Sequence, residues 1–444
     1  MGRETNHHSK PAQTFYIETY GCQMNVHDSE KIAGLLMACG YHPATSAIDA
    51  DFVFLNTCSI REKAEQKAYS RLGQLKADAC AGKKLVGVLG CMAQLAGKQI
   101  FEQAPYVSLV CGSASYRKLP ELLLQVNTTR RVANFTYDAA AFETEFTRRN
   151  NPYRAYITII EGCDKACAYC VVPVTRGPER SRASAAILDE VCRLVDAGYR
   201  EVQLLGQNVN SYRDPGPRRM SFAELLAAVA EIPGIRRVRF TSSHPRDFSP
   251  DIVAAIDAHS TLCDHIHLPV QSGSTAVLQR MQREYTREQY LEKIALIRRA
   301  RRAISISTDI IVGFPGETER DFEESLSLLT EVGFDATFSF KYSPRPRTRA
   351  AALEGQVPEE EKGRRLLLLQ EQQRQIQQTR NQALVGQIFE VLIEAYNPRQ
   401  QQYVGRTTTN HVVNFIASQV KLGEYCLVHV TRAGANSLIG TQVT

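Results

Sequence analysis

The chain has 444 residues and a formal net charge of +6 at pH 7, with 43% hydrophobic and 23% charged residues. These values are ordinary for a globular protein of two or three domains, and the modest charge permits a nucleic-acid partner without arguing for one. The first ten residues are polar, and no apolar run approaches the roughly 18 residues of a membrane span. We therefore expect a cytoplasmic protein without a signal peptide or membrane contact, in which the twelve cysteines favour metal binding or burial over disulfides.

The first third of the chain alternates between β-rich runs and helix-like stretches. The runs lie at residues 15–17, 52–55, 85–89 and 107–110, and helices are predicted over 28–39 and 60–76. Asp28 or Ser29 is the expected N-cap of the first helix. This alternation predicts a parallel sheet flanked by helices.

A cysteine follows each of these runs: Cys22, Cys58, Cys91 and Cys111. Because the carboxyl ends of parallel strands share one edge of a sheet, the fold brings these thiols together. Cys22, Cys58 and Cys91 adjoin small or amide residues, which suits tight loops with N–H groups free to bond sulfur. The pattern leaves two interpretations open, a metal cluster held by these three or buried thiols. It gives no reason to leave out Cys111.

A second strand–helix pattern follows a polar stretch at 127–150, which is predicted to be a linker. Strands are expected at 156–160, 201–205, 237–241, 265–270, 306–312 and 336–342, with helices at 183–197, 222–231, 287–302 and 319–332. Six such units predict an open, partial β/α barrel, whose chemistry lies on the loops at the carboxyl ends of its strands.

Three cysteines follow the first of these strands, Cys163, Cys167 and Cys170 in a C-x3-C-x2-C spacing. Three thiolates on one loop can hold three irons of a four-iron cluster and leave the fourth iron open. A zinc site or three unrelated buried thiols are the alternatives, although no His or fourth Cys is near enough in sequence to complete a tetrahedral zinc site.

Other loops at the same predicted barrel mouth are rich in Gly, Ser, Gln and Asn, at 206–208, 242–245, 271–274 and 313–318. Each loop alone is explained by turn chemistry, whereas together they predict a small-molecule site. Tyr169 either stacks on an adenine or packs in the core. The basic loop 176–182, with Arg176 and Arg182, either steers a phosphate-bearing substrate or is solvated.

The last third begins with a charged, Gln/Leu-rich helix predicted over 358–382. Strand-like runs follow at 388–394, 412–416, 424–430 and 438–443, separated by Gly, Asn and Pro. They predict a small β-barrel of about 60 residues.

The triad, with Tyr169 before its third cysteine, resembles the radical S-adenosylmethionine (SAM) superfamily. Four further motifs resemble the methylthiotransferases, and among them the MiaB-type tRNA-2-methylthio-N6-dimethylallyladenosine synthases. They are YGCQMN at 20–25, NTCSIR at 56–61, LPVQSGS at 268–274 and DIIVGFPGET at 309–318. The resemblance covers nearly the whole chain and implies three domains: a methylthiotransferase domain at 13–128, a radical SAM core at 149–381 and an RNA-binding TRAM domain at 384–444.

The resemblance also implies the chemistry. A [4Fe-4S] cluster on Cys163, Cys167 and Cys170 would bind SAM and cleave it to methionine and a 5′-deoxyadenosyl radical. An auxiliary [4Fe-4S] cluster on the three strand-end cysteines Cys22, Cys58 and Cys91 would carry the transferred sulfur, which a second SAM methylates. The target would be C2 of an N6-isopentenylated adenosine just 3′ of the anticodon.

Further contacts and partners are expected on the same basis. SAM would touch Tyr169, Gly206, Gln207, Ser242 and Ser243. RNA would touch Arg176, Arg182 and Arg406, the last within a Tyr403–Thr407 run that fits the TRAM pattern. The remaining partners would be an electron donor such as a flavodoxin or ferredoxin and a sulfur or cluster supplier, and the protein is expected to be monomeric.

Two other functions stay open. One is methylthiolation of a ribosomal protein side chain, and the other is a non-catalytic iron–sulfur or zinc protein that binds RNA. Without the resemblance, the C-terminal β-module could also serve only to stabilise the barrel. The chain departs from its relatives at Arg347, where they usually have glycine, which puts the local turn and its substrate contacts in doubt.

Overall fold

The computed structural model describes residues 13–59, 62–126, 128–138 and 146–443. These residues form two compact units. The first unit takes the described residues up to Asn150 together with Val171–Gly177, and the second takes Asn151–Cys170 and the described residues from Pro178 onward.

The first unit is a parallel sheet with helices on both faces. Its elements in chain order are β1 (Thr14–Tyr20), α1 (Gln23–Ala38), β2 (His42–Pro43), β3 (Phe52–Thr57), α2 (Glu62–Cys80), β4 (Leu85–Gly90), α3 (Cys91–Ala96), α4 (Gln99–Gln103), β5 (Leu109–Gly112), α5 (Leu119–Val126), β6 (Val132–Asn134) and α6 (Val172–Arg176). The six strands are parallel in the order β2-β1-β3-β4-β5-β6. The predicted N-terminal parallel sheet is confirmed.

Alternate side chains of the central strands enter two separate cores. Val53 and Leu55 of β3 pack on one face of the sheet, whereas Phe52 and Phe54 pack on the other. All six residues of β3 are buried, as expected for a parallel strand covered on both sides. Such a strand is fixed in register, so the residue that follows it has a defined place at the carboxyl edge.

The expected N-cap at Asp28 or Ser29 is wrong, because α1 begins at Gln23 with Cys22 as its N-cap. Asp28 and Ser29 lie inside the helix, and both are buried. Their side chains contact other side chains, Asp28 that of Arg176 and Ser29 that of Asn56. Because these two side chains bond to other side chains, they do not cap the end of a helix.

Two other stretches differ from the prediction or lie outside the description. The stretch predicted as a linker at 127–150 contains β6, which pairs with β5. Residues 127 and 139–145 of that stretch lie outside the described residues, as do Ile60 and Arg61 at the start of the second predicted helix. A three-residue strand is too short for a hydrophobic pattern to reveal.

The second unit contains a partial β/α barrel. Its elements are β7 (Arg154–Thr158), β8 (Ile160–Glu161), β9 (Arg180–Ser181), α7 (Ser184–Asp196), β10 (Glu201–Leu205), α8 (Phe222–Ala230), β11 (Arg237–Phe240), α9 (Pro250–Ala258), β12 (His265–His267), α10 (Thr275–Arg280), α11 (Arg287–Arg298), β13 (Ser305–Val312), α12 (Glu319–Val332), β14 (Ala336–Lys341) and α13 (Glu359–Gln382). Strands β7-β10-β11 and β12-β13-β14 form parallel sheets, which a parallel bridge between Val238 and Leu262 connects. The six-stranded barrel is confirmed, and α9 and α10 are additional helices.

The C-terminal part of the second unit is a closed five-stranded barrel. Its strands are β15 (Ile388–Asn397), β16 (Gln402–Arg406), β17 (Val412–Ile416), β18 (Tyr425–Ala433) and β19 (Leu438–Gln442), in the order β15-β16-β17-β19-β18. Val391, Ile393, Val413, Phe415 and Val428 fill its core. The small β-barrel is confirmed, with β16 as a strand that the prediction missed.

Two buried arginines attach this small barrel to the amino-terminal end of β11. Arg237 donates to the carbonyl oxygens of Glu390 at 2.7 Å and Arg406 at 2.8 Å, and Arg239 donates to that of Thr407 at 2.7 Å. The cysteine triad, Cys163, Cys167 and Cys170, comes after β7 and β8 and therefore lies at the carboxyl end of the barrel strands. The small barrel therefore contacts the end of the β/α barrel opposite to the triad.

No helix in the described part of the chain combines the length and the apolar character that a membrane crossing requires.

Arg347 has a left-handed backbone conformation, with φ of +65°. A side chain in this region costs roughly 1–2 kcal/mol relative to glycine, and the greater freedom of unfolded glycine offsets roughly 0.5–1 kcal/mol of that. We therefore expect Arg347→Gly to raise the free energy of unfolding by about 0.5–1 kcal/mol in urea denaturation. Arg374→Gly, at an exposed position in the interior of α13, is the matched control and should lower it by about 1 kcal/mol. Equal losses in both variants would contradict the backbone argument.

Candidate functional site

Three thiols of the first unit meet at the carboxyl edge of its sheet, as the topology predicted. Cys22 follows β1, Cys58 follows β3, and Cys91 follows β4, and these three strands are neighbours. Cys58 and Cys91 are buried, whereas Cys22 is half-buried. A hydrogen bond with the Cys58 side chain lowers the pKa of Cys22 to about 6, against the opposing effect of burial. The group has the donor chemistry of an iron–sulfur cluster ligand set.

Two glycines allow the loops at this edge to pack closely. A Cβ atom on Gly21 would lie 2.3 Å from Asn25 Oδ1 and 2.8 Å from Cys58 Cβ. A Cβ atom on Gly90 would lie 2.4 Å from Asn56 Oδ1, and Gly90 has a φ of +92° that glycine adopts without strain. Larger residues at either position would push the thiol-bearing loops apart.

A buried ion pair between Arg176 and Asp28 adjoins the thiols. The pKa of Cys91 is raised by its burial, and the charge of Arg176 opposes that rise. The same charge helps to lower the pKa of Cys22. Arg176 therefore favours thiolate at two of the three cysteines, because a nearby cation stabilises the charged form of a thiol.

Cys111 lies elsewhere in the first unit. It belongs to β5 and packs in the core with Leu89, Leu109 and Leu119. Its side chain is fully buried, and this burial raises its pKa to about 12. Cys111 is therefore a structural residue of the apolar core, and this packing distinguishes it from the three strand-end cysteines.

The cysteine triad of the second unit lies on the loop after β8, and protein contacts hold this loop at three points. Gly162 N donates to Gln207 Oε1 at 2.6 Å, and Ala168 N donates to the carbonyl of Met281 at 2.9 Å. Ala350 N donates to the carbonyl of Ala168 at 2.8 Å. The loop is thereby preorganised, and all three of its thiols remain half-exposed.

Arg283 is a residue of this site that the sequence did not predict. Its buried guanidinium donates to Cys167 Sγ at 3.4 Å and to the carbonyl of Pro269 at 2.9 Å. A hydrogen bond from a cation stabilises a thiolate and orients it. Because 116 residues separate Arg283 from Cys167, no local motif could have linked them.

The residues predicted to contact SAM lie on loops around the triad. Gln207 holds Gly162, and a Cβ atom on Gly206 would lie 2.3 Å from Ile160 Cγ2. Ser242 has a left-handed φ of +68°, and the buried hydroxyl of Ser243 has no hydrogen-bond partner within the described residues.

Tyr169 is half-buried and meets Phe314 edge to face, with ring centroids 6.5 Å apart. This contact corresponds to the core-packing interpretation of Tyr169. The contacts of all five predicted residues with SAM stay predictions.

The three arginines predicted to contact RNA are engaged within the protein. Arg176 and Arg182 are buried, and they form ion pairs with Asp28 and Glu190. Arg406 is half-buried and donates to the carbonyl of Asn410 at 3.3 Å. The contacts of these three arginines with RNA stay predictions. The burial of Arg176 and Arg182 argues against an RNA contact at these two residues.

Across the described ranges, no group of three or more His, Cys, Asp or Glu side chains is arranged to hold one metal ion.

Three family models match the chain. They are "Uncharacterized protein family UPF0004" over residues 14–112, "Radical SAM superfamily" over 157–329 and "TRAM domain" over 382–443. Among solved structures, the radical S-adenosylmethionine methyltransferase TsrM from Kitasatospora setae, with tryptophan substrate and a SAM analogue bound, has a similar fold. It is 13% identical, with a TM-score of 0.55 over 77% of this chain and 75% of that chain. The fold is thus that of a radical SAM protein.

Relatives similar in sequence are named tRNA-2-methylthio-N(6)-dimethylallyladenosine synthase. That of Solibacter usitatus (strain Ellin6076) is 59% identical over 434 residues, which cover 96% of this chain and 97% of the relative. That of Koribacter versatilis (strain Ellin345) is 55% identical over 442 residues, which cover 98% of this chain and 99% of the relative. The chain belongs to the tRNA-2-methylthio-N(6)-dimethylallyladenosine synthase family, as the sequence motifs indicated.

Cys58 and Cys111 offer a matched test of the thiol assignment, since both are buried in the first unit. After anaerobic reconstitution, we expect Cys111→Ala to retain the iron content of the parent protein and to lose about 1 kcal/mol of stability. Cys58→Ala should lose about four irons per chain, because it lacks a cluster ligand. Iron analysis and thermal denaturation measure the two effects. Loss of iron from Cys111→Ala, with retention in Cys58→Ala, would reverse the assignment.

Proposed function

We propose that this chain is a radical SAM methylthiotransferase that modifies tRNA. It converts N6-(dimethylallyl)adenosine next to the anticodon, on its 3′ side, into the 2-methylthio derivative. Two SAM molecules take part, one as the radical source and one as the methyl donor. The observation that carries the proposal is the presence of two cysteine triads in one chain of this family, one at a sheet edge and one on a barrel loop.

Each triad is proposed to hold one [4Fe-4S] cluster, Cys22, Cys58 and Cys91 the auxiliary cluster and the triad on the loop after β8 the radical SAM cluster. When bound, the two clusters and SAM supply the radical, the sulfur and the methyl group. Both ligand sets leave one iron without a cysteine, which is where a substrate or a sulfur can bind. Two of the three auxiliary cysteines, Cys58 and Cys91, are buried, which limits the access of water to a reactive sulfur.

The residues around the triads prepare each site. Gln207 fixes the start of the triad loop through Gly162, and Arg283 orients Cys167. Tyr169, Gly206, Ser242 and Ser243 are proposed as further contacts of SAM. Their loops lie at the carboxyl ends of barrel strands, where ligands of this fold class bind.

The domain limits implied by the sequence are retained as part of this proposal, with the methylthiotransferase domain at 13–128, the radical SAM core at 149–381 and the TRAM domain at 384–444. The TRAM domain is proposed to hold tRNA, with Arg406 as one contact. A loop nucleotide is the kind of target that a protein can draw out of the stack and into a pocket.

Several partners follow from the chemistry. An electron donor such as a flavodoxin or ferredoxin reduces the radical SAM cluster, and a sulfur or cluster supplier replaces the sulfur that each turnover consumes. The protein is proposed to act as a monomer in the cytoplasm, where its tRNA substrate is found. Methylthiolation of a ribosomal protein side chain is the alternative that we do not favour, because the relatives are named for a tRNA product.

Nucleoside mass spectrometry tests the substrate. Deleting the gene should remove 2-methylthio-N6-isopentenyladenosine from tRNA and leave its N6-isopentenyladenosine precursor, because the precursor is what the enzyme consumes. Reintroducing the gene should restore the product. Persistence of the product in a strain that has no second such enzyme would contradict the proposal, and so would loss of a modified ribosomal residue without any change in tRNA.

Two cysteine variants separate the roles of the triads. We expect Cys22→Ala to abolish methylthiolation while SAM cleavage to 5′-deoxyadenosine remains measurable, because only the auxiliary cluster is lost. Cys167→Ala should abolish both, since the radical source is lost. Reductive assays with dithionite measure the two products. The assignment fails when Cys22→Ala abolishes SAM cleavage or when Cys167→Ala retains it.

A further inference from the structure

The side-chain amide of Asn25 is buried, and its NH2 group makes no hydrogen bond among the described residues. It is fully buried, and its Oδ1 accepts the backbone N–H of Cys22 at 3.3 Å and the Cys22 thiol at 3.4 Å. Its Nδ2 has no hydrogen-bond partner among the described residues. A backbone N–H needs an oxygen acceptor, so this bond fixes which side of the amide carries the oxygen. The orphan NH2 group therefore belongs to the native arrangement.

A second unpaired donor lies beside another thiol of the same group. Ser59, the residue after Cys58, is buried, and its hydroxyl has no partner in the described part of the chain. A buried donor without an acceptor costs roughly 1–3 kcal/mol. Two of them next to two thiols indicate an acceptor that the polypeptide itself does not supply.

The charge around the thiols defines the chemistry of that acceptor. Asp28, whose charge acts on Cys91, is already paired with Arg176, and the guanidinium of Arg176 also acts on Cys22 and Cys91. Among the described residues, Asn25 Nδ2 and Ser59 Oγ have no partner, and both can donate a hydrogen atom. The unpaired Oε1 of Gln94, three residues after Cys91, faces Gly112 instead. An anionic sulfur accepts hydrogen bonds and suits such a site, whereas a cation does not.

We propose that Asn25 Nδ2 donates a hydrogen bond to an anionic, hydrosulfide-type sulfur bound at the auxiliary cluster, with Ser59 Oγ as a second donor. The inference rests on the proposed function and adds to it the residues that hold the sulfur. Hydrogen bonds to sulfur tune iron–sulfur clusters and orient what they bind. Asn25 thus has two tasks, since one end of its amide holds the loop at Cys22 and the other end holds the sulfur.

The variant Asn25→Asp tests this role. It keeps an oxygen for the Cys22 N–H and replaces the NH2 donor by a second oxygen that repels an anion. The experiment uses the full chain with Cys167→Ala, so that the auxiliary cluster alone reports by electron paramagnetic resonance. Titration with sodium hydrosulfide should show a dissociation constant raised about 10- to 100-fold in Asn25→Asp.

Asn134→Asp is the matched control. Asn134 is in the same unit, and its Oδ1 accepts the backbone N–H of Thr136 at 2.9 Å, so the substitution changes the same groups away from the thiols. Its hydrosulfide affinity should equal that of the parent protein. Ser59→Ala is the second test should Asn25→Asp fail to fold or fail to assemble the auxiliary cluster, and it should raise the dissociation constant about tenfold.

Unchanged hydrosulfide affinity in Asn25→Asp with the auxiliary cluster assembled would overturn the role of these donors. Where Asn25→Asp does not fold or does not assemble the cluster, unchanged affinity in Ser59→Ala would overturn it. A fall in affinity that Asn134→Asp shares would overturn it as well, because added charge alone would then explain the effect. The parent protein carries none of these substitutions, Cys167→Ala included. If it assembles only one cluster after full reconstitution, that result would contradict the proposed function instead. The two failures are therefore distinguishable by iron content before any hydrosulfide is added.

Discussion

Both cysteine groups depend on the geometry of parallel β-sheets, in which the carboxyl ends of neighbouring strands lie at one edge. In the first unit three neighbouring parallel strands end at one edge, and each is followed by a thiol that is more than 30 residues from the next. Buried side chains on both faces of β3 fix its register, so Cys58 cannot shift without moving Phe54 or Leu55 out of a core. The position of Cys58 is thus set by hydrophobic packing on the two faces of the sheet.

Elements with strong hydrophobic patterns could be predicted from the sequence. The strand Glu201–Leu205 and the helix Glu319–Val332 have the predicted limits. The strand is a short run with apolar residues at Val202, Leu204 and Leu205, and the helix is an amphipathic repeat with a Thr318 cap, so each pattern determines a local structure. The short strand β6 and the start of α1 could not be predicted. Both depend on partners remote in sequence, β6 on β5 and α1 on the buried contacts of Asp28 and Ser29.

The candidate site divides in the same way. The thiols could be predicted because cysteine spacing and strand-end position are both local in sequence. The groups that surround them could not, because Arg283 approaches Cys167 and Arg176 approaches Cys91 only after folding. Cys111 illustrates the limit, since it shares the strand-end pattern and its burial in the core is a property of the packed sheet.

Buried arginines explain why the positive charge of the chain is a poor guide to its RNA surface. Arg176 neutralises Asp28 beside the thiols, Arg283 donates to a cysteine sulfur, and Arg239 donates to backbone carbonyls of the small barrel. Each of these cations is satisfied inside the protein, where it orders a loop or an interface. A guanidinium that is buried to hold thiolates or carbonyls has no surface to offer a phosphate. The burial of Arg176 and Arg182 therefore argues against these two residues as tRNA contacts, whereas half-buried Arg406 of the small barrel keeps part of its surface accessible.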